Sequence, residues 1–306
     1  MTDILYGGPL PSDLKAELDS LVALREQLWS RMIQGGLTRF SLNQYLPTKT
    51  RRNLRDFKRR WAALNDRAYA IACMTQTQSA IVSLYGKVMN GNVEKDQVLQ
   101  TIDEMLFANL DVTIGGLSWS LLFLAAHKDI QVKLWQEIKE AKVGPGVATR
   151  GWDDYIQSSS TLLAASILEA ARLKPLAAFS VPQSAPTHRT VKGFHIPRGT
   201  NIIVDVHALN IENPFWGPDG DTYRPERFLK DCKLSDLRYN FWRFGFGPRQ
   251  CLGKFIVDLI IRVVVATLVS EYNLGFTDIT HWDKHPSTWI LHPDTEIRCD
   301  KIIAKG

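Results

Sequence analysis

Apolar residues recur at helical spacing through the first half of the chain. Residues 13–32 carry leucines three or four positions apart, after a Pro-Ser-Asp start that can cap a helix and before a stop at Gly35-Gly36. The same spacing predicts four more helices, at about residues 49–75, 93–126, 129–142 and 158–174.

The helix predicted over about 93–126 contains Gly115-Gly116 in its apolar middle. Each glycine there costs on the order of 1 kcal/mol relative to alanine, so the pair needs a compensating reason. We expect either that another element packs closely against this turn or that the helix is locally distorted.

The pattern changes in the second half of the chain. Short β-like runs with turn chemistry lie between Phe179 and Val206, and residues 213–230 form a loop rich in Pro, Gly and Trp. A last helix follows Gly253, and residues 289–303 are predicted to form paired strands. We expect one mainly α-helical domain over 1–306 with small β-sheets, divided into a helical part over 1–175 and a β-containing part over 176–306.

Composition narrows the class of protein. The chain has 306 residues, is 45% hydrophobic and has a net charge of +5, which suits a sizeable core and docking to an acidic partner or an anionic surface. It has no RNA-binding sheet signature, zinc-finger spacing or long basic run, so nucleic-acid binding is not indicated. The basic stretch from Lys49 to Arg60 is interleaved with Leu54, Phe57 and Trp61, which is typical of the solvated face of an amphipathic helix.

The four cysteines are scattered and form no C-x-x-C pair, which argues against a disulfide framework and a structural zinc site and favours a reducing compartment. The first residues lack the features of a secretory signal. No window reaches 18 uninterrupted apolar residues, and the nearest, 255–269, contains Asp258 and Arg262. We therefore expect no membrane span in this chain.

The strongest candidate for chemistry is the segment 244–253, a glycine-rich loop that ends in Cys251 at the start of an apolar helix. A helix N-terminus offers unpaired N–H groups and a positive dipole end, which favour a thiolate. Arg249 suits the acidic edge of a cofactor, and Gly247 and Gly253 allow the backbone to approach a flat ligand. The alternative is a buried cysteine in a tight turn.

This segment resembles the haem-binding signature of the cytochrome P-450 family at each fixed position, namely Phe244, Gly247, Arg249, Cys251 and Gly253. The resemblance implies an α-helical haem-thiolate fold with small β-sheets, and haem b as the cofactor. It also implies that Cys251 is the axial ligand of the iron, that Arg249 pairs with a haem propionate and that Phe244 lies against the haem near the sulfur.

Two further motifs follow the family's order. Glu169 and Arg172 stand three residues apart on one predicted helix face, where such a pair is usually a surface salt bridge of little energetic value. Here they resemble the family's Glu-x-x-Arg motif, and Pro225-Glu226-Arg227-Phe228 resembles its downstream partner. The resemblance implies a structural cluster of Glu169, Arg172 and Arg227 that locks the core holding the cysteine loop.

Residues 108–113 resemble the family's oxygen-activation stretch, which makes Asp111 and Thr113 the candidate catalytic residues. Asp111 matches the acid, but Val112 stands where the alcohol is expected, and Thr113 is rotated from it by about 100°. Three routes stay open: Asp111 with an ordered water delivers protons, the substrate supplies the hydroxyl, or the reaction is a coupling or dehydrogenation. The alternative is that Asp111 is a satisfied polar residue of a core helix.

Members of the family are longer at the N-terminal side, so we expect this chain to lack the N-terminal portion of the fold, including the usual membrane anchor. One hypothesis is a monooxygenase that receives electrons from NADPH through a separate reductase. It would oxidise an apolar small molecule in fungal secondary-metabolite biosynthesis, since the chain looks similar to members that act on diketopiperazine-type scaffolds. Its expected location is cytoplasmic or peripheral to the endoplasmic reticulum.

The second hypothesis is a truncated, catalytically incompetent remnant that acts at most as a binding or structural protein. A cysteine hydrolase using Cys251 would need a histidine and an orienting partner, and the sequence shows neither.

Overall fold

The computed structural model describes residues 2–36, 40, 45–143, 150–230, 234–277 and 291–302, except for the side chains of residues 33, 108–111, 143, 150, 234 and 248. Helices dominate these ranges, and the strands are short. The α-helices are α1 (Thr2–Tyr6), α2 (Ser12–Gln34), α3 (Lys49–Met74), α4 (Ala80–Met89), α5 (Lys95–Ala126), α6 (Lys128–Val143), α7 (Arg150–Gln157), α8 (Leu162–Leu173), α9 (Arg227–Lys230), α10 (Leu234–Asn240) and α11 (Lys254–Glu271).

The strands are β1 (Gln183–Ser184), β2 (Arg189–Val191), β3 (Phe194–Ile196), β4 (Asn201–Ile202), β5 (Tyr272–Phe276) and β6 (Ile297–Lys301). They form three antiparallel pairs, β1 with β4, β2 with β3, and β5 with β6. The predicted fold class, mainly α with small β-sheets, is confirmed.

Two predicted boundaries differ from the structure. Helix α8 begins at Leu162 and not at residue 158, because the Thr161 side chain accepts a hydrogen bond from Ala164 N–H and caps the helix there. The unpredicted helix α7 occupies the residues before it. In the tail, the pairing of residues 289–303 with one another is wrong for the described part, since β6 pairs with β5, which directly follows α11.

The chain divides into two compact units, residues 1–109 and 110–306, and the boundary falls within α5. In the first unit, α2 packs against α3, and Arg60 forms an ion pair with Glu17 across the two helices, with Nε 2.7 Å from Oε1. Phe57 and Trp61 are buried as the amphipathic pattern predicts, whereas Leu54 is exposed. The Trp61 indole N–H donates to the Leu99 carbonyl, which satisfies a polar group inside this core.

In the second unit, the core is formed by the C-terminal part of α5 together with α6, α8, α11 and β5. The expected close packing at Gly115-Gly116 is present: a Cβ atom on Gly116 would lie 3.3 Å from Ile261 Cδ1 of α11. The missing side chain therefore lets α5 lie directly against the helix that follows Cys251.

Within the described ranges, α5 is the one helix that is long and apolar enough to cross a membrane by length and composition. Core helices of globular proteins meet the same criterion, and half of its most apolar 18-residue window is buried inside the protein. These two properties alone do not assign α5 to a membrane.

Candidate functional site

The three charged residues predicted to form a cluster come together in the core. Arg172 donates from Nε and Nη2 to the two carboxylate oxygens of Glu169, both at 2.8 Å, and Arg227 Nε donates to Glu169 Oε1 at 2.8 Å. Glu169 and Arg172 have no exposed surface, and Arg227 is 2% exposed. Buried charges persist only when they are paired and hydrogen-bonded, and here one carboxylate holds two guanidinium groups.

Backbone carbonyls satisfy the remaining donors of the cluster. Arg172 Nη1 donates to the carbonyls of Asn210 and Gly220, and Arg227 donates to those of Trp216 and Asp219. The cluster thus joins α8 to the irregular segment 208–222 and to α9, so its function in the architecture is to fix one helix against a loop.

A carboxylate at the edge of the cluster adds charge compensation. Asp219 Oδ2 lies 3.4 Å from Arg227 Nη2 and 2.8 Å from Arg224 Nε. Desolvation raises the pKa of Asp219, but the charges of Arg227 and Arg224 outweigh it and hold that pKa below its ordinary value. Arg227 and Arg224 therefore share Asp219 as a second anion beside Glu169.

The cysteine loop is closed by its own backbone. The N–H group of Cys251 donates to the Phe244 carbonyl at 2.8 Å, and Gln250 Nε2 donates to the Gly245 carbonyl. Gly245 and Gly247 have φ angles of +77° and +68°, in the left-handed region that other residues rarely adopt. These two positions explain why the loop needs glycines: the turn, and not only close approach of a ligand, requires them.

Cys251 is a free thiol at the surface of the protein. The alternative of a buried cysteine in a tight turn is therefore wrong. The residue lies just before α11, which Gly253 caps and which begins at Lys254. The other described cysteines, Cys73 and Cys299, are also free, and Cys232 lies outside the described residues.

Large apolar side chains lie uncovered beside the thiol. Leu252 is 85% exposed and Phe255 is 76% exposed, and exposed apolar side chains continue along α11 at Ile256, Leu259 and Val263. Arg249 is exposed in the same loop, and Phe244 is half-buried with the Arg243 guanidinium 4.5 Å from its ring centre. A free thiol, uncovered apolar groups and an accessible cation fit a flat, largely apolar ligand with an acidic edge, and haem has these properties.

An ion cluster that the sequence analysis did not identify connects this loop to α11. Asp258 accepts from Arg243 Nη1 at 2.6 Å and forms an ion pair with Arg262 Nη2 at 2.8 Å. Arg262 also donates to the carbonyls of Ile156 and Ser158 at the end of α7. Burial lowers the pKa of Arg243 from its ordinary value, and the Asp258 carboxylate opposes that effect.

The charges of this second cluster were visible in the sequence, but only as interruptions of an apolar helix. Two charged residues four positions apart in a run such as 255–269 are themselves a signal, because an apolar helix retains buried charge only where a partner is available. The sequence does not show that the partner is Arg243.

The two candidate catalytic residues lie on α5, in the second unit. Thr113 is half-buried and stands three residues before Gly116, so the two share a helix face, and Gly116 packs on Ile261. The side chain of Asp111 lies outside the described residues. The assignment of a proton-delivery role to both stays a prediction.

Two polar residues of the β-containing part, Gln183 and His207, lie at the surface. Gln183 is an exposed residue of β1. His207 is exposed and lies 3.5 Å from Glu212, from Nδ1 to Oε1.

Comparisons with known proteins agree with this geometry. Residues 7–298 match the family model for cytochrome P-450. The chain is 50% identical over 304 residues to cytochrome P-450 monooxygenase aclC of Aspergillus oryzae, covering 98% of this chain and 60% of that protein. It is 45% identical over 294 residues to monooxygenase asaD of Aspergillus flavus, covering 96% of this chain and 56% of that protein. The chain thus spans between 56% and 60% of the length of these two relatives.

The fold is also shared with solved structures. A crystal structure of a cytochrome P-450 matches with a TM-score of 0.76 at 17% identity, covering 92% of this chain and 65% of that one. On these findings the chain belongs to the cytochrome P-450 family, in which a haem iron is bound through a cysteine thiolate.

Proposed function

We propose that this protein is a haem-thiolate monooxygenase in which Cys251 is the axial ligand of a haem b iron. The observation that carries the proposal is the state of Cys251: a free, exposed thiol in a loop closed by the hydrogen bond from its N–H group to Phe244 O, beside uncovered apolar side chains. A cysteine that served only packing would be covered by such side chains.

The residues of the loop have distinct roles in holding the cofactor. Cys251 supplies the sulfur, the Arg249 guanidinium pairs with a propionate, and Phe244 lies against the macrocycle. Gly247 and Gly253 leave room for the ring. When bound, a thiolate-ligated haem supplies oxygen activation, because electron density from the sulfur favours cleavage of the O–O bond.

In this proposal two ion clusters hold the cysteine loop in its orientation. Glu169, Arg172 and Arg227 hold α8 against the segment before the loop, and the shared carboxylate of Asp258 holds Arg243 against α11. Apolar side chains at the start of α11 exclude water from the side of the ligand that they cover.

Proton delivery is assigned to α5. In this proposal the Asp111 carboxylate and the Thr113 hydroxyl would hold and pass protons to the reaction at the bound haem. Because Val112 stands where the family has the alcohol, three routes stay open: Asp111 with an ordered water, a hydroxyl supplied by the substrate, or a coupling or dehydrogenation. The substrate class is an apolar small molecule of fungal secondary metabolism, of the peptide-derived, diketopiperazine type, and the support for this class is the likeness of residues 111–113 and 240–244 to such members.

The electron donor in this proposal is NADPH, acting through a separate reductase. A net charge of +5 suits docking to an acidic partner of that kind or to an anionic membrane surface. The location is the cytoplasm or the periphery of the endoplasmic reticulum. Residues 1–306 are proposed to fold as one domain of the family.

The test is the carbon monoxide difference spectrum of the purified chain after haem loading and reduction. We expect a Soret band at the red-shifted position of a thiolate ligand. Cys251→Ser should abolish that band, while Cys299→Ser, which changes another free and exposed thiol, should leave it unchanged. A wild-type chain without the shifted band, as expected of a remnant that no longer carries haem, or a Cys251→Ser variant that keeps it, contradicts the proposal.

A further inference from the structure

Asn210 is fully buried, and its side-chain amide pairs with both backbone groups of a single residue. Its Nδ2 donates to the Trp242 carbonyl at 2.9 Å, and the Trp242 N–H donates to its Oδ1 at 2.7 Å. This two-bond arrangement imitates the pairing of neighbouring strands, so it fixes both the position and the direction of the backbone at residue 242.

The backbone of Asn210 is fixed in turn by the buried Glu169 cluster. Arg172 Nη1 donates to the Asn210 carbonyl at 2.8 Å, and Arg172 is itself held by both oxygens of Glu169. Asn210 lies in a π-helical turn, Ala208–Glu212, a rare conformation that is frequent at functional sites. One residue therefore connects a buried ion cluster to the segment that precedes the cysteine loop.

Trp242 transmits this constraint into the loop. A Cβ atom on Gly245 would lie 3.6 Å from Trp242 Cζ2, so the indole lies directly against the first turn of the loop. The same indole makes an edge-to-face contact with Phe246, with ring centres 5.0 Å apart. Two residues after Trp242, the Phe244 carbonyl accepts the hydrogen bond from Cys251.

We propose that Asn210 is a positioning residue for Cys251: it couples the orientation of the Glu169–Arg172–Arg227 cluster to the loop that presents the thiolate. This rests on the proposed function for the identity of the ligand. The chemistry of the amide is specific, since one group must donate to a carbonyl and accept from an N–H group. Aspartate keeps the acceptor but loses the donor, and alanine loses both.

A purely structural role predicts something different. If Asn210 only satisfied buried polar groups, its loss would lower the stability of the second unit as a whole. Hydrogen exchange would then accelerate no more in the loop than elsewhere in that unit. If it positions the loop, the effect is local and concentrates at residues 242–251. Local hydrogen exchange distinguishes the two roles.

The first experiment uses the whole haem-free chain and needs no activity. Hydrogen–deuterium exchange is measured for wild type, Asn210→Ala, Asn210→Asp and the control Asn213→Ala. Asn213 lies three residues further on and also bonds through its side chain, to Asn240 and to Phe215 N–H. We expect exchange at the Trp242 and Cys251 amides to accelerate on the order of tenfold in Asn210→Ala, with α8 unchanged.

The nearly isosteric Asn210→Asp variant keeps the proposal testable if Asn210→Ala fails to fold, and it should accelerate the same amides. The control Asn213→Ala should leave both amides at the wild-type rate. Acceleration spread evenly over α8, α11 and the loop, or wild-type protection of the loop in both Asn210 variants, overturns the proposal.

The second experiment uses the haem-loaded chain. At equal haem content, the Asn210 variants should show a smaller fraction of the thiolate-type carbon monoxide band than wild type, while Asn213→Ala should match it. Wild-type fractions in both Asn210 variants contradict positioning. If wild type itself lacks the band, the proposed function fails, and the exchange experiment still decides whether Asn210 positions Cys251.

Discussion

Arg227 donates from Nε to Glu169 Oε1 at 2.8 Å, although 58 residues separate the two along the chain. The same carboxylate also holds Arg172, so two buried cations share a single buried anion. Replacing one charged residue of such a cluster lowers the free energy of unfolding by more than the intact interactions contribute to it. The reason is that the remaining charges stay buried without a partner.

Glu169→Gln is therefore expected to lower the free energy of unfolding by about 3–5 kcal/mol. Denaturant titration followed by circular dichroism measures the change. The matched control is Glu212→Gln, which changes an exposed carboxylate 3.5 Å from His207, and it should stay within about 0.5 kcal/mol of wild type. Equal effects of the two substitutions would show that the cluster is not a stability determinant.

Asp258→Asn removes the anion shared by Arg243 and Arg262. Because these side chains are 10–21% exposed, solvent reduces the penalty, and we expect a loss of about 1–3 kcal/mol. The double variant Asp258→Asn with Arg243→Met should recover part of that loss, since one uncompensated cation is removed. A double variant that is less stable than the sum of the two single losses would refute the coupling.

Gly116→Val places a branched side chain where a Cβ atom alone would lie 3.3 Å from Ile261 Cδ1. Overpacking should destabilise the protein by about 1–3 kcal/mol. In the control Gly86→Val on α4, a Cβ atom meets nothing within 4 Å, and the change should stay within about 0.5 kcal/mol. Thermal unfolding of the two variants gives the comparison, and Ile261→Ala should relieve the effect at Gly116 if the contact is its cause.

The ion pair of Glu17 with Arg60 contributes to the stability of the protein in a pH-dependent way. The hydrogen bond from Arg60 lowers the pKa of Glu17, and the Arg60 charge adds to this against an opposing desolvation. Its stabilisation is present above the ordinary carboxyl pKa of about 4.3 and is lost as the pH falls through the lowered value. Unfolding free energies measured from about pH 6 to 2 should fall less steeply in Glu17→Gln.

The size of that difference is less than about 1 kcal/mol, because the pair is partly solvated. Added salt at roughly 1 M should reduce it further, since the screening length falls to about 3 Å. Parallel pH curves for wild type and Glu17→Gln would exclude the ion pair as the source.

The sequence could predict the features whose determinants lie close together in the chain. Helices α2, α3, α5 and α6 follow from the spacing of apolar residues, and the loop 244–253 is a contiguous motif. The contact between Arg227 and Glu169 was predicted only from the resemblance to the family, because no local sequence pattern relates residues 58 positions apart.

Tertiary partners account for what the sequence could not predict. Asn210 has no motif of its own, and its importance follows from an amide that faces Trp242. The start of α8 depends on which of several polar residues caps it, and Thr161 does so. Strand β6 pairs with β5, whose short sequence directly continues an apolar helix and so carries no separate pattern.

The bond from the Cys251 N–H group to the Phe244 carbonyl closes a small ring of backbone. The conformational entropy of this turn is therefore lost when the chain folds into it. A binding site that is already ordered loses less conformational entropy when a ligand binds, so more of the interaction energy contributes to affinity. For the proposed haem, a loop of this kind would present the Cys251 sulfur without a refolding step.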